Sequence, residues 1–363
     1  NRGVEKAYGQ QRRISWLKLY AGTEALDLYN NPLPDDTIDA IKFYRIALKG
    51  PLETPVGSGH RSLNVAIRQT LNLYACVRPV RYMPGVPNPV KHPERVDMVV
   101  FRENMEDVYA GIEWKQGSEE AARVIDFLNT EMGTSITKDS GVGVKPMSIK
   151  CTKQLVRSAL DYALANERKS VTIVTKGNIM KFTEGAFRAW AYEVGQDEYR
   201  DKIVTEGECL EKYDGKIPSG KLLMKDRLAD NMLQQILLYP EQYDVLVTPN
   251  LNGDYLSDAL AAQVGGLGMA PGANMGHGIG VFEATHGTAP DIAGKGIVNP
   301  TAMILSAALM LEFIGWPEAA KRIQNAVETT IGSKRVTKDL AMQIDDATEL
   351  STEAFGMAVL ENI

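Results

Sequence analysis

The stretch GSGHRSLNVAIRQTLNLYACVRPVRY (57–82) places Ser62 and Asn64 where a glycine-rich loop turns into a helical pattern. Free N–H groups and the positive end of a helix favour an anion at such a turn. Arg68 follows along the helix, Arg78 lies in the strand-like RPVRY, and Arg102 ends the strand of VVFRENMEDVYAG. Three arginines aimed at one place make bidentate clamps for carboxylates. Asp254 and Asp258, in NLNGDYLSDALAAQ, are four residues apart and share one helix face. Like charges so placed repel unless a cation joins them, and hard oxygen ligands with few neutral donors suit magnesium or manganese. Asp230, in LADNMLQQILL, adjoins an apolar stripe of Met232, Leu233, Ile236 and Leu237 that reads as core or interface. HGTAPDIAGKG (286–296) carries turn formers, an imidazole and a threonine suited to wrapping an anion or a nucleotide, yet it presents Asp291 and Ile292 at its centre. Taken singly, each arginine reads as a surface ion pair and the aspartate pair as a solvated face. The grouping argues for a site.

Two other motifs fail on inspection. GKIPSGKL (215–222) has the spacing of a phosphate loop, but Leu222 stands where the magnesium-binding hydroxyl belongs and Pro218 interrupts it, so it reads as a hairpin turn. GGLGMAPG (265–272) puts Pro271 where a dinucleotide fingerprint needs its last glycine. The elements around the chemistry follow an α/β pattern. VDMVVF (96–101), SVTIVT (170–175) and YDVLVT (243–248) are apolar and β-branched, each followed by a loop and a helical segment, which predicts a substantial parallel sheet. Residues 107–148 are charged and short in period and read as an insertion or arm, and the last 65 residues are mostly helical by periodicity. The 363 residues are 44% apolar and 24% charged, enough for two or three packed units. A net charge of −6 gives no footprint for nucleic acid or anionic membranes. Cys76, Cys151 and Cys209 form no CxxC pair, which argues against a zinc site or disulfide framework and for a reducing compartment. The longest apolar run, Ala302–Leu311, is too short to span a bilayer and predicts a buried helix. The chain starts at Asn1 without a methionine, and an upstream segment is expected.

The chain resembles the bacterial isocitrate dehydrogenases of the β-decarboxylating dehydrogenase family. The likeness runs over essentially its whole length and is carried by GPLETPVGSGHRSLNVAIRQ, RPVRY, FRENMEDVYAGIEW, KGNIMKFTEGAF, NLNGDYLSDALAAQVGG and FEATHGTAPDIAGKGIVNP. The resemblance implies an α/β fold that is not a Rossmann fold. It implies a large cofactor-binding domain (1–73 and 265–363), a small substrate and metal domain (74–106 and 149–264) and a clasp arm (107–148). It implies a cytoplasmic homodimer with two shared active sites. Ser62, Asn64, Arg68, Arg78, Arg102 and Tyr109 come from one chain, with Lys176 and Asp230 from the other. Asp230, Asp254 and Asp258 would hold magnesium or manganese, Lys176 would help remove the hydroxyl proton, and Tyr109 would return a proton to carbon. Thr54, Asn178, Gln234, Glu283, His286, Gly287, Thr288, Ala289, Asp291, Ile292 and Asn299 would bind the cofactor.

The implied activity is oxidative decarboxylation of isocitrate to 2-oxoglutarate and carbon dioxide, in the tricarboxylic acid cycle. Ser62 and Asn64 suit the substrate's γ-carboxylate, and an apolar substituent would leave them unpaired at roughly 1–3 kcal/mol per buried group. Homoisocitrate or isopropylmalate dehydrogenase activity, and a silent regulatory or scaffold subunit, are the alternatives. Two departures from the family stand out. Its first strand and glycine- and aspartate-rich loop are absent from this sequence. NADP-using members carry Lys and Tyr at Asp291 and Ile292, an arginine at Tyr239, and Tyr and Arg at Lys338 and Met342. A carboxylate accepts from the free hydroxyls of an adenosine ribose and repels a 2′-phosphate, so NAD is the expected cofactor.

Overall fold

A computed structural model describes residues 1–53 and 62–363. Thr54 lies outside the described residues. Among those described, nine strands form one mixed sheet: β1 (Ile46–Lys49), β2 (Ala75–Arg81), β3 (Asp97–Glu103), β4 (Ser170–Thr175), β5 (Ile203–Thr205), β6 (Leu222–Leu228), β7 (Val245–Thr248), β8 (Pro271–Gly276) and β9 (Ile279–Ala284). Their order is β1-β9-β8-β2-β3-β7-β4-β6-β5. From β3 to β5 every neighbour is parallel, as the three β-branched runs predict. At the centre β2 runs antiparallel to both of its neighbours, β8 and β3.

The parallel half is apolar on both faces because helices cover both. Val99 and Phe101 of β3, with Val245 and Val247 of β7, pack under the helices Ile149–Ala165 and Glu184–Glu198. The alternating Met98, Val100 and Leu246 face the helices Ala229–Leu238 and Asn250–Ala262. Strand alternation therefore sends Arg102 to the face of the 250–262 helix. The other half carries the helix Thr301–Phe313, buried as its apolar run predicts. The C-terminal region is mainly helical, with one two-stranded parallel sheet of Arg335–Thr337 and Thr348–Leu350. Within 107–148 a helix (Glu119–Glu131) stands beside an antiparallel pair, Glu113–Trp114 with Val142–Gly143. No helix among the described residues is long and apolar enough to cross a membrane.

The hairpin expected at 215–222 does not form. Those residues join the helix Glu206–Lys212 to β6, and β5 and β6 are parallel. A parallel pair requires a crossover, so the turn chemistry of GKIPSGKL serves a helix-to-strand loop instead.

Candidate active site

Ser62 caps the helix Leu63–Thr70, which carries Asn64 and Arg68. Arg78 lies mid-β2, Arg102 near the end of β3, and Tyr109 in the turn Asp107–Ala110 that follows. All six line one pocket of about 230 Å³ with Asp254, Glu283, His286 and Gly287. A larger cavity of about 680 Å³, between residues 13–24 and β1, is lined mainly by apolar side chains and shares Pro51 and Leu52 with this pocket.

The three arginines are nearly or fully buried and differently held. Arg102 donates through Nε to Asn250 Oδ1 at 2.8 Å, pairs with Asp254 through Nη1, and stacks over the Tyr109 ring at 4.8 Å. Gly253 makes this approach possible, since a Cβ there would stand 2.6 Å from Arg102 Cγ. Arg78 Nη1 bonds Ser257 Oγ at 2.5 Å and lies 3.7 Å from Asp254 and 3.6 Å from Asp258. Arg68 pairs with Glu283 at 3.2 Å, and its buried Nε has no partner among the described residues. Asn64 Oδ1 is likewise buried and unpartnered. Unsatisfied buried polar atoms are costly, and both belong to residues that line the pocket.

Charge sets the state of each acid. Tyr109 donates to Asp254 Oδ2 at 2.7 Å. Burial, only partly offset by Arg102, pushes its phenol up to about 12, so it keeps its proton at neutral pH. Burial would raise Asp254, but Arg102, the Tyr109 hydroxyl and Arg78 hold it below the usual carboxylate range. Asp258, more exposed, is raised by burial and by Asp254, against the pull of Arg78. The two carboxylates do share one helix face, and they supply hard oxygen donors of the kind magnesium takes. Among the described residues no group of three His, Cys, Asp or Glu is assembled within one chain.

Lys176 and Asp230 are not in this pocket. They pair with each other at 2.8 Å at the ends of β4 and β6, on a face that also exposes Asn178 and Gln234. Ile179 and Phe182, after Lys176, and Leu233, Leu237 and Leu238, along the helix whose first turn carries Asp230, are exposed. Of the proposed cofactor contacts, Thr288 and Ala289 stand beside His286 and Gly287 in the loop leaving β9. Asn299 is turned inward, bonding Asp339 at 3.0 Å and the Thr301 N–H at 3.0 Å. Glu283 is buried against Lys49 Nζ at 2.5 Å and Asn274 Nδ2 at 2.7 Å as well as Arg68. It thus pairs with a pocket arginine while itself lining the pocket. Sequence reasoning passed over Lys49, Asn274 and Asn250. Asn250 begins NLNGD, and the asparagine at a helix start was its one visible signal.

The profile of the isocitrate/isopropylmalate dehydrogenase family matches residues 4–359. The chain belongs to this family. It is 59% identical over 352 residues to the isocitrate dehydrogenase [NADP] of Archaeoglobus fulgidus, covering 97% of this chain and 85% of that one. To the isocitrate dehydrogenase [NADP] of Haloferax volcanii it is 55% identical over 355 residues, again covering 97% and 85%. The crystal structure of isocitrate dehydrogenase from Methylococcus capsulatus superposes with a TM-score of 0.81 at 38% identity, covering 99% of this chain and 94% of that one.

These names overturn the expectation of NAD. Family members this similar are named for NADP although this chain carries Asp291 and Ile292. The structure supplies a reason why the carboxylate argument is weak. Asp291 is exposed in the short 3-10 turn Pro290–Ile292. In bulk water a like charge at 4 Å costs only about 1 kcal/mol, too little to exclude a phosphate. Lys295 follows four residues later, and Lys338 opens the short helix whose Asp339 is bonded to Asn299.

Proposed function

We propose that the chain oxidises and decarboxylates isocitrate to 2-oxoglutarate and carbon dioxide, with NADP as acceptor, as a homodimer whose two sites each draw on both copies. The observation that carries the reading is the convergence of Arg68, Arg78 and Arg102 with Ser62 and Asn64 beside a protonated Tyr109. Three guanidinium groups answer the carboxylates of the substrate, and the Ser62 hydroxyl and the Asn64 amide N–H would donate to the γ-carboxylate that isopropylmalate lacks. Asp254 and Asp258, with Asp230 of the second copy, would hold a divalent cation. When bound, the cation would polarise the alcohol and the ketone that follows, and the dinucleotide would accept the hydride. Lys176, braced by Asp230, would take the hydroxyl proton. The departing carboxylate leaves carbon dioxide and a carbanion equivalent, to which Tyr109 Oη delivers its proton. His286, Gly287, Thr288, Ala289, Asp291 and Ile292 would lie along the dinucleotide, joined by Asn178 and Gln234 of the second copy. We assign the large body to 1–73 and 265–363, the small body to 74–106 and 149–264, and the clasp to 107–148.

The test is steady-state reduction of NADP and of NAD, with isocitrate, homoisocitrate and isopropylmalate, each with magnesium and with chelator. Isocitrate and NADP are expected to give the highest kcat/KM, and only with the metal. Faster turnover of either other acid, or no turnover of any, refutes the reading.

A further inference from the structure

Away from the pocket, one lysine joins three segments that carry its chemistry. Lys145 Nζ lies 2.8 Å from Asp107 Oδ1 and 2.8 Å from Glu184 Oε1, and both carboxylates are fully buried. Asp107 opens the turn that carries Tyr109 and has a left-handed φ of 70°. A non-glycine residue keeps that conformation only where its surroundings hold it. Its Oδ1 also accepts from the Val108 N–H at 2.7 Å. Its Oδ2 accepts from the Leu251 N–H at 2.9 Å, in the first turn of the helix that bears Asp254 and Asp258. Glu184 opens the helix 184–198, and its Oε2 accepts from the backbone N–H of Lys176 and from Asn252 Nδ2 at 2.7 Å. Gly177 and Gly185 leave the Lys176 loop no slack against that helix, since a Cβ on Gly177 would stand 2.8 Å from Gly185 Cα. Two buried carboxylates held by one cation cannot separate without stranding charge.

We infer that Lys145 is a positioning residue that serves two active sites at once, fixing Tyr109 and the aspartate helix in the site of its own chain and Lys176 in the site of the second copy. This rests on the reading that each site takes Lys176 from the other chain. Lys145 touches no reacting atom in that arrangement and acts through Asp107 and Glu184. It makes the geometry of one site depend on that of the other.

The experiment compares Lys145→Met as a homodimer and as a hybrid dimer with wild type, purified through two different tags. Displacement at each end is expected to lower a site's kcat about tenfold, so the homodimer, disturbed at both ends of every site, falls about 100-fold. In the hybrid each site is disturbed at one end, and the total is expected at about one tenth of wild type. A hybrid that keeps half or more of the wild-type rate has one undisturbed site, which overturns the proposal. Hybrids of Tyr109→Phe with Lys176→Met are the control, because shared sites rebuild one intact site. No recovery there, with subunit exchange verified, overturns the shared-site reading and the coupling with it. Recovery there beside a half-active Lys145 hybrid sinks the coupling alone. Should Lys145→Met fail to fold, Asp107→Asn/Lys145→Met/Glu184→Gln, which strands no buried charge, replaces it in both measurements. Full activity of that folded triple variant would equally overturn the proposal.

Discussion

Glu283→Gln removes one charge from the buried cluster of Lys49, Glu283 and Arg68 and leaves its shape intact. Burial by itself would raise this carboxyl, yet the Lys49 and Arg68 cations, with the Lys49 and Asn274 donors, bring it from 4.5 down to about 2. At about 1.36 kcal/mol per pH unit, the ionised carboxylate contributes about 3 kcal/mol to folding. That agrees with the roughly 3–5 kcal/mol lost when one partner of a buried ion pair is removed. The sign follows from the folded value lying below the unfolded one. The contribution is complete above about pH 4.5 and is lost as pH falls toward about 2. Urea unfolding of parent and variant, at one fixed protein concentration, reads it directly. Near pH 7 the variant is expected to be less stable by about 3 kcal/mol, and near pH 3 the gap should shrink to about half. Glu103, which burial raises to about 7, is present in both proteins and cancels from the difference. A gap of equal size at both pH values would show that the cations do not hold this carboxylate in its charged form.

Tyr109→Phe keeps the ring under Arg102 and deletes the proton donor. Its kcat should fall about 10²–10⁴-fold with little change in isocitrate KM, and an unchanged kcat would remove Tyr109 from the chemistry. Asp254→Asn weakens the metal site and leaves Arg78 and Arg102 facing a neutral group, so a titration with magnesium and manganese should recover no activity. Recovery at high metal would place the ion elsewhere. Gly253→Ala drives a methyl into Arg102 and Thr248 Cγ2, at a cost of about 1–3 kcal/mol, and thermal melting should register that loss. The same substitution should lower kcat/KM for isocitrate at least about tenfold through the displaced guanidinium.

Much of the pocket was legible because local patterns placed its residues on elements with one buried face. Ser62, Asn64 and Arg68 were placed by the switch from glycine-rich loop to helical period, and Asp254 and Asp258 by their spacing of four. The parallel half of the sheet was legible for the same reason: strands covered on both faces read as unbroken apolar runs. The antiparallel centre was not, because β2, β3 and β8 look alike in either direction and only the connections decide. The ion pairs of Glu283 were missed since its partners, Lys49 and Arg68, are far away in sequence. The bridge of Asp107, Lys145 and Glu184 was missed in the same way. The cofactor went wrong through a burial assumption. A carboxylate discriminates strongly only where water is excluded, and no pattern in HGTAPDIAGKG tells that Asp291 is exposed.

Arg102 stands opposite Cys76 and Arg78 opposite Val100 across the antiparallel pair β2 and β3, so both arginines leave the sheet on one face. A slip of one residue between these strands would carry one guanidinium to the opposite face while preserving nearly every ladder bond. Far-ultraviolet dichroism would scarcely distinguish the slipped sheet from the native one, and catalysis would be silent. β8 accompanies β2 only from Ala75 to Val77, and Pro79 follows, with no N–H to offer a neighbouring strand. The proline thus acts as a stop that discourages pairing beyond the native length. For a chain refolded from denaturant, recovered turnover counts the molecules that found the right alignment, whereas recovered ellipticity counts all that rebuilt a sheet. The shortfall of the first against the second measures the misaligned fraction.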